Sequence, residues 1–170
     1  MAPDGSIRPQ GEGEFVCQSP CVMKGFFGNP EALSRIVRDG WLYTGDAVLI
    51  DEAGYIHHKG RIDGMIIRGG YNIYASEIEH VYAAHPDVVE CCAFPVPHEA
   101  LGQQTCLAVR LREGADDDPL ALREFSRGKI SKYKIPDYVV VFDELPKLPT
   151  DKYDMKAIRR ECEARIEKRP

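Results

Sequence analysis

Residues 60–79, Gly60-Arg61-Ile62-Asp63-Gly64-Met65-Ile66-Ile67-Arg68-Gly69-Gly70-Tyr71-Asn72-Ile73-Tyr74-Ala75-Ser76-Glu77-Ile78-Glu79, carry the reading on which the rest of the chain depends. Two glycines flank Arg61-Ile62-Asp63, so this segment reads as an exposed connector with loose backbone limits. Met65-Ile66-Ile67 is a short apolar strand, and Gly69-Gly70 can turn it back onto a second strand, Tyr71–Tyr74. Ser76-Glu77-Ile78-Glu79 has the Ser-x-x-Glu spacing of a reciprocal capping box, which predicts a helix starting at Ser76. The order is connector, glycine-tipped hairpin, capped helix. On these residues alone, a plain hairpin with a capped helix also remains open as a reading.

Upstream, Glu14–Cys17 and Cys21–Met23 are strand candidates on either side of Gln18-Ser19-Pro20. Asn29 and Pro30 open a helix as cap and first residue, and Asp39-Gly40 is expected to stop it. Then comes Tyr43-Thr44-Gly45-Asp46, fifteen residues ahead of Arg61, with Asp51-Glu52-Ala53-Gly54 as a turn between two strands. An ionised carboxylate such as Asp46 can satisfy two neighbouring hydroxyl donors through charge-assisted bonds; it could equally end a strand at a Gly-Asp turn.

Downstream, Asp87–Val96 reads as a buried strand and Pro97–Gly102 as a loop. Thr105–Arg112 alternates apolar and mixed residues as a half-buried strand would. Asp118 and Pro119 begin a helix whose packing side is Leu120, Leu122, Phe125 and Ile130. Tyr138–Phe142 is a further strand, and Met155, Ile158, Cys162 and Ile166 form a helical stripe. Between them lies Leu145-Pro146-Lys147-Leu148-Pro149-Thr150-Asp151-Lys152, a proline-bearing loop ending in a lysine. Most such lysines are surface charges. The element order predicts an α+β fold with helices packed on a β-sheet.

Composition narrows the functional classes. The chain has 170 residues, 44% of them hydrophobic and 29% charged, with a net charge of −5. That supports a packed core and gives no basic patch for nucleic acid. No window approaches the ~18 consecutive apolar residues of a membrane span, and no signal peptide is visible. Cys91-Cys92 sits in an apolar run, and Cys17-x3-Cys21 lacks partners for a zinc site, so no metal site is expected. Six cysteines without a disulfide framework point to a reduced, cytoplasmic setting.

Three stretches in this order, Tyr43–Asp46, Arg61–Gly70 and Leu145–Lys152, resemble the adenylate-forming superfamily of acyl-CoA synthetases, aryl-CoA ligases, peptide-synthetase adenylation domains and luciferases. Gly13-Glu14 and Met23-Lys24-Gly25-Phe26 resemble the end of its large N-terminal domain. The resemblance implies residues 1–60 as the β-rich, incomplete end of that domain, 61–64 as a hinge and 65–170 as a C-terminal lid. It implies that Asp46, with Tyr43 and Thr44, holds the ribose, that Arg61 contacts the nucleotide, and that Asp63 is the hinge. It implies that Gly69-Gly70 lines the pantetheine tunnel, that Tyr133 and Lys134 meet the nucleotide end of coenzyme A, and that Lys152 catalyses adenylation. Two positions depart from the family pattern, Gly64 at a common acidic site and Asp151 at the glycine before the lysine. Asp151 is expected to need a positive φ, which Asp tolerates better than most residues.

The implied activity is an AMP-forming acid–thiol ligation from a carboxylic acid, ATP with Mg2+, and coenzyme A, in two half-reactions separated by domain rotation. The Ser/Thr/Gly-rich phosphate loop and acyl pocket of the family have no counterpart here. The chain is therefore expected to be inactive alone, as the late portion of a longer ligase. Two alternatives stand beside it: an adenylation domain serving a carrier protein, and a non-catalytic binding or oligomerisation module with the lid fold.

Overall fold

The structure, a computed structural model, describes residues 1–2 and 4–167. Contacts divide the chain into two units, Met1–Asp63 and Gly64–Pro170.

The first unit is built on β1 (Gly11–Cys17), α1 (Pro30–Ile36), β2 (Val37–Arg38), β3 (Trp41–Ile50) and β4 (Ile56–Arg61). The long β3 is central, with β1 antiparallel along one edge and β2 then β4 along the other. Asn29 caps α1 as expected, its Oδ1 accepting the Ala32 amide at 3.1 Å. The helix ends at Ile36 rather than at Asp39-Gly40. Asp39 (φ 50°) and Gly40 (φ 81°) both adopt the left-handed region, the conformation of a two-residue hairpin turn. That turn pairs Val37 with Leu42 and Arg38 with Trp41, so the β-branched Val37 leaves the helix for a strand. Cys21–Met23 forms no strand either. The Ser19 carbonyl accepts the Val22 amide and its hydroxyl accepts the Cys21 amide, which folds the segment into a turn.

The second unit runs β5 (Met65–Arg68), β6 (Tyr71–Tyr74), α2 (Ala75–Ala83), β7 (Val88–His98), β8 (Gly102–Leu111), α3 (Pro119–Phe125), a single 3-10 turn (Lys132–Lys134), β9 (Tyr138–Phe142) and α4 (Met155–Glu167). Its sheet is ordered β6-β5-β8-β7, with β9 added parallel to β8. A parallel neighbour needs a crossover, and α3 provides it. The fold class is α+β, as the element order predicts.

The sheet is covered on both faces. Cys92, Phe94, Cys106, Ala108, Val140 and Phe142 meet Ile158 and Cys162 of α4 on one side. Ala93, Leu107, Val109 and Val139 meet Ile78 and Tyr82 of α2 and Leu122 of α3 on the other. Consequently β8 is buried on both faces from Thr105 to Val109, not half-buried. Strands enclosed by helices lose the polar alternation of a one-sided sheet.

Two local expectations fail for a related reason. The helix α2 starts at Ala75 with Tyr74 as its cap and no side-chain cap bond, so Ser76 is not the residue that caps it. Glu79 instead turns its Oε1 to the Ala93 amide at 2.9 Å, satisfying a donor on the edge strand β7. In α3, Asp118 caps as expected, but Leu120 points outward, 68% exposed, and Leu122 alone carries the helix's deep burial.

Candidate functional site

In the first unit, β3 and β4 bring the Tyr43–Asp46 motif to Arg61. Asp46 and Arg61 are cross-strand partners, and the Arg61 Nη1 donates to the Thr44 carbonyl at 2.7 Å and to Asp46 Oδ1 at 3.2 Å. Its Nε donates to Asp63 at 3.2 Å. These contacts, the Asp63 hydrogen bond first, raise the guanidinium pKa above its ordinary value. Gly45 suits this place because its φ of 74° is left-handed, and a Cβ there would also stand 2.8 Å from Arg61 Nη2 and displace the guanidinium. The Thr44 hydroxyl donates to Phe15 O at 2.8 Å and accepts the Asp46 amide at 3.1 Å, and Glu14 accepts the Gly45 amide, fastening the motif to β1. Tyr43 lies under the Arg38 guanidinium, 5.0 Å from its ring centre. The structure thus assembles Thr44, Asp46, Arg61 and Asp63 into one charged cluster on the surface of this unit.

In the second unit, the candidate residues fall at opposite ends of β7. At its C-terminal end, Arg68 pairs with Gly102 and the Gly69 amide donates to Leu101 O at 2.9 Å. Gly69 (φ 55°) and Gly70 (φ 86°) form the left-handed hairpin turn. Tyr71, the next residue, stacks on Tyr133 with centroids 4.5 Å apart and planes 19° off parallel. So the structure joins the glycine hairpin to the Lys132–Lys134 turn. The Lys134 ammonium meets Glu77 at 2.6 Å.

Sequence reasoning missed what locks this end. Arg68 donates to Tyr133 O at 2.9 Å and to Asp137 at 2.5 Å, while the second oxygen of Asp137 accepts the Thr105 amide at 2.9 Å. The pair is mostly buried. The signal was present: an arginine adjoining the glycines, and an acid just past Pro136.

At the other end of β7 lies the Lys152 loop. Leu148 N donates to Lys152 O at 2.7 Å and Asp151 N to Leu148 O at 2.9 Å, closing a tight turn. Asp151 has φ 62°, the positive value its place before the lysine demanded. Lys147 and Tyr153 bridge the loop's base. The Lys152 side chain is exposed and makes no ion pair or hydrogen bond with the described residues. Lys147, also unremarked in the sequence, reaches Glu90 of β7 at 2.7 Å. From Glu90 to His98 the strand advances eight residues, about 26 Å at ~3.3 Å each. Lys152 and the glycine hairpin are therefore carried by one sheet and are not brought together.

Other chemistry is weak. Burial pushes the Cys91 and Cys92 thiols up to about 12, so neither is a thiolate near neutrality. All six cysteines are unbridged. Among the described residues no group of three His, Cys, Asp or Glu side chains could hold a metal ion, and no helix is long and apolar enough to cross a membrane.

The second unit is thus a five-stranded sheet enclosed by helices, with a glycine hairpin at one end and a lysine loop at the other. Residues 77–152, within the second unit, match the model of the AMP-binding enzyme C-terminal domain. The chain is 40% identical over 152 residues to a 2-succinylbenzoate–CoA ligase of Geobacillus kaustophilus, covering 89% of this chain and 31% of that protein. It is 36% identical over 166 residues to a medium-chain fatty-acid–CoA ligase of Escherichia coli, covering 95% of this chain and 29% of that one. Its fold matches an amide bond synthetase of Marinactinospora thermotolerans with a TM-score of 0.82 at 34% identity, over 94% of this chain and 33% of that chain. The homologues are acyl-CoA ligases and the structural neighbours are adenylate-forming enzymes; the chain spans about a third of their length.

Proposed function

We propose that this chain is the C-terminal part of an ATP-dependent, AMP-forming acid–thiol ligase, an acyl- or aryl-CoA synthetase working through an acyl-adenylate. The observation that carries this is one sheet bearing at one end an exposed lysine with no side-chain partner among the described residues, and at the other a left-handed double glycine. Residues 61–64 are the hinge, with Asp63 the residue that turns. In the first half-reaction a carboxylate oxygen attacks the α-phosphorus of ATP and the bond to pyrophosphate breaks. Lys152 stabilises the charge spread over the entering carboxylate and phosphoryl oxygens. Asp46 accepts the ribose hydroxyls, with Tyr43 and Thr44 beside it, and Arg61 holds the nucleotide. Magnesium arrives on the phosphates of ATP.

Rotation then exchanges ends. The Gly69-Gly70 backbone lets a pantetheine arm pass where any side chain would intrude, Tyr133 and Lys134 lie near its nucleotide end, and the thiol attacks the acyl carbon as AMP leaves. A larger body supplies the phosphate loop and acyl pocket, so acid selectivity lies there. Relatives named for 2-succinylbenzoate and for medium-chain fatty acids resemble this part about equally, which supports that division. Free thiols and the absence of a spanning helix among the described residues support a cytoplasmic setting.

The test joins this chain to the adenylation body of the Geobacillus ligase and measures each half-reaction separately. Lys152→Ala is expected to slow pyrophosphate exchange by about 10²–10³ and spare thioester formation from supplied acyl-adenylate. Asp63→Pro is expected to do the reverse, because a fixed φ blocks the turn. Equal loss in both halves, or robust exchange by the chain alone, overturns the proposal. The likeness to an amide bond synthetase favours a second reading with an amine as acceptor; turnover with amines and none with coenzyme A would decide for it.

A further inference from the structure

We infer that Glu90 and Lys147 are positioning residues for Lys152, a clamp that fixes the loop's orientation on the sheet; the inference rests on the adenylation role proposed for that lysine. The loop's own bonds, Leu148 to Lys152 and Asp151 to Leu148, set its shape. They do not set where it points. Its two ends are held by the apolar core, Leu145 buried on one side and Tyr153 packed against the same cluster on the other. Between them the loop's charged contact with the sheet is Lys147. Its Nζ lies 2.7 Å from Glu90 Oε1, and directly across the bridge stands Tyr153, next in sequence to Lys152.

Glu90 is itself immobilised. Its other oxygen accepts Arg110 Nε at 2.8 Å, and Arg110 is its cross-strand partner on β8. The line Arg110–Glu90–Lys147 therefore runs from the central strand to the loop base through two charge-assisted contacts. Side-chain exposures of 20% for Glu90 and 33% for Lys147 keep the pair partly out of water, where charge-assisted bonds hold geometry better than at an open surface. The Lys147 ammonium also lies 3.6 Å from Asp151 and 5.8 Å from the centre of the Tyr153 ring. One cation thus lies near both neighbours of Lys152. A displacement of about 1 Å at a catalytic group can cost up to ~10²-fold in rate, so a loop free to swing would be a poor catalyst even with its lysine intact.

The test has a structural arm and a kinetic arm. Amide exchange on the full chain is expected to quicken about tenfold at Leu148 and Asp151 in Glu90→Gln and in Lys147→Met, with the β8 amides unmoved. In the joined enzyme both variants are expected to lower adenylation kcat about tenfold, with KM for ATP within twofold and thioester formation unchanged. Lys147→Arg, which keeps the cation, should restore most of the rate. If Glu90→Gln loosens β8, Lys147→Met carries the decision, since Lys147 lies outside the sheet. Unchanged loop exchange, or normal kcat in a preparation where Lys152→Ala abolishes adenylation, overturns the clamp alone. Normal adenylation in Lys152→Ala overturns the functional proposal, and the clamp with it.

Discussion

The two ends of β7 present opposite solutions to holding a working surface. At the Lys152 end the proposed function resides in one exposed side chain, and the backbone beneath it is a short turn clamped by a partly solvated ion pair. At the Gly69-Gly70 end it resides in the absence of side chains, and the backbone is held by a mostly buried Arg68–Asp137 pair and a Tyr71–Tyr133 stack. A delivered charge needs orientation; a bare surface needs shape. Damage at the first end should therefore register as rate, and damage at the second as stability. That contrast can be broken from either side.

The largest stability effect is expected from Arg68→Leu. It would leave Asp137, 8% exposed, with the Thr105 amide as the one partner for its charge among the described residues and would free the Tyr133 carbonyl. Breaking a buried pair this way typically costs about 3–5 kcal/mol, and the partial exposure of Arg68 places the expectation near ~3 kcal/mol. Slow-exchanging amides of β8 would report it. A loss below ~1 kcal/mol would mean the glycine end is held by packing alone, and the contrast with the lysine end would collapse.

Gly70→Val sharpens the same contrast with a smaller effect. A Cβ at Gly70 meets no atom within 4 Å, so the cost comes from the left-handed backbone, about 1–2 kcal/mol, to which the β-branch of valine adds. Gly70→Asn should recover most of it, since Asn tolerates that region. At Gly69 a Cβ would also touch Leu101 Cδ2 at 3.4 Å, so strain and contact would mix. Equal stability of the Val and Asn variants, measured by urea unfolding, would show that the hairpin can change turn type and is not rigid.

What could be read from the chain beforehand follows the same division between local and distant causes. The Asp118 cap, the Asp51–Gly54 turn, the glycine hairpin and the α4 stripe depend on near neighbours, and each stands as read. Asp39-Gly40 was read as a helix stop and is a hairpin turn instead, because two left-handed residues suit either and strand pairing with Trp41 decides it. The Ser76–Glu79 spacing fitted a capping box, yet Glu79 is drawn away by the Ala93 amide fourteen residues on. No local pattern announces that donor. Double burial of β8 likewise depends on where α3 and α4 land. At the candidate sites, the family resemblance pointed to Asp46, Arg61 and Asp63, and these side chains do meet. Glu90, Lys147, Arg68 and Asp137 escaped notice because each pair is formed by segments separated by tens of residues.

The smallest effect is expected at the lysine end itself, from Asp151→Gly. Asp151 adopts φ 62°, and glycine enters that region freely, which favours the variant in the folded state. Glycine also gains conformational freedom in the unfolded chain, which opposes it. The Lys147–Asp151 contact is long at 3.6 Å, with Asp151 90% exposed, so its loss should count for little. These terms nearly cancel, and stability should stay within ~0.5 kcal/mol. Adenylation should stay within about twofold, because the Leu148–Lys152 turn and the Glu90–Lys147 pair are untouched. A several-fold gain would show that the aspartate misplaces the lysine. A several-fold loss would show that the long contact to Lys147 helps aim it, and the clamp would then have three members rather than two.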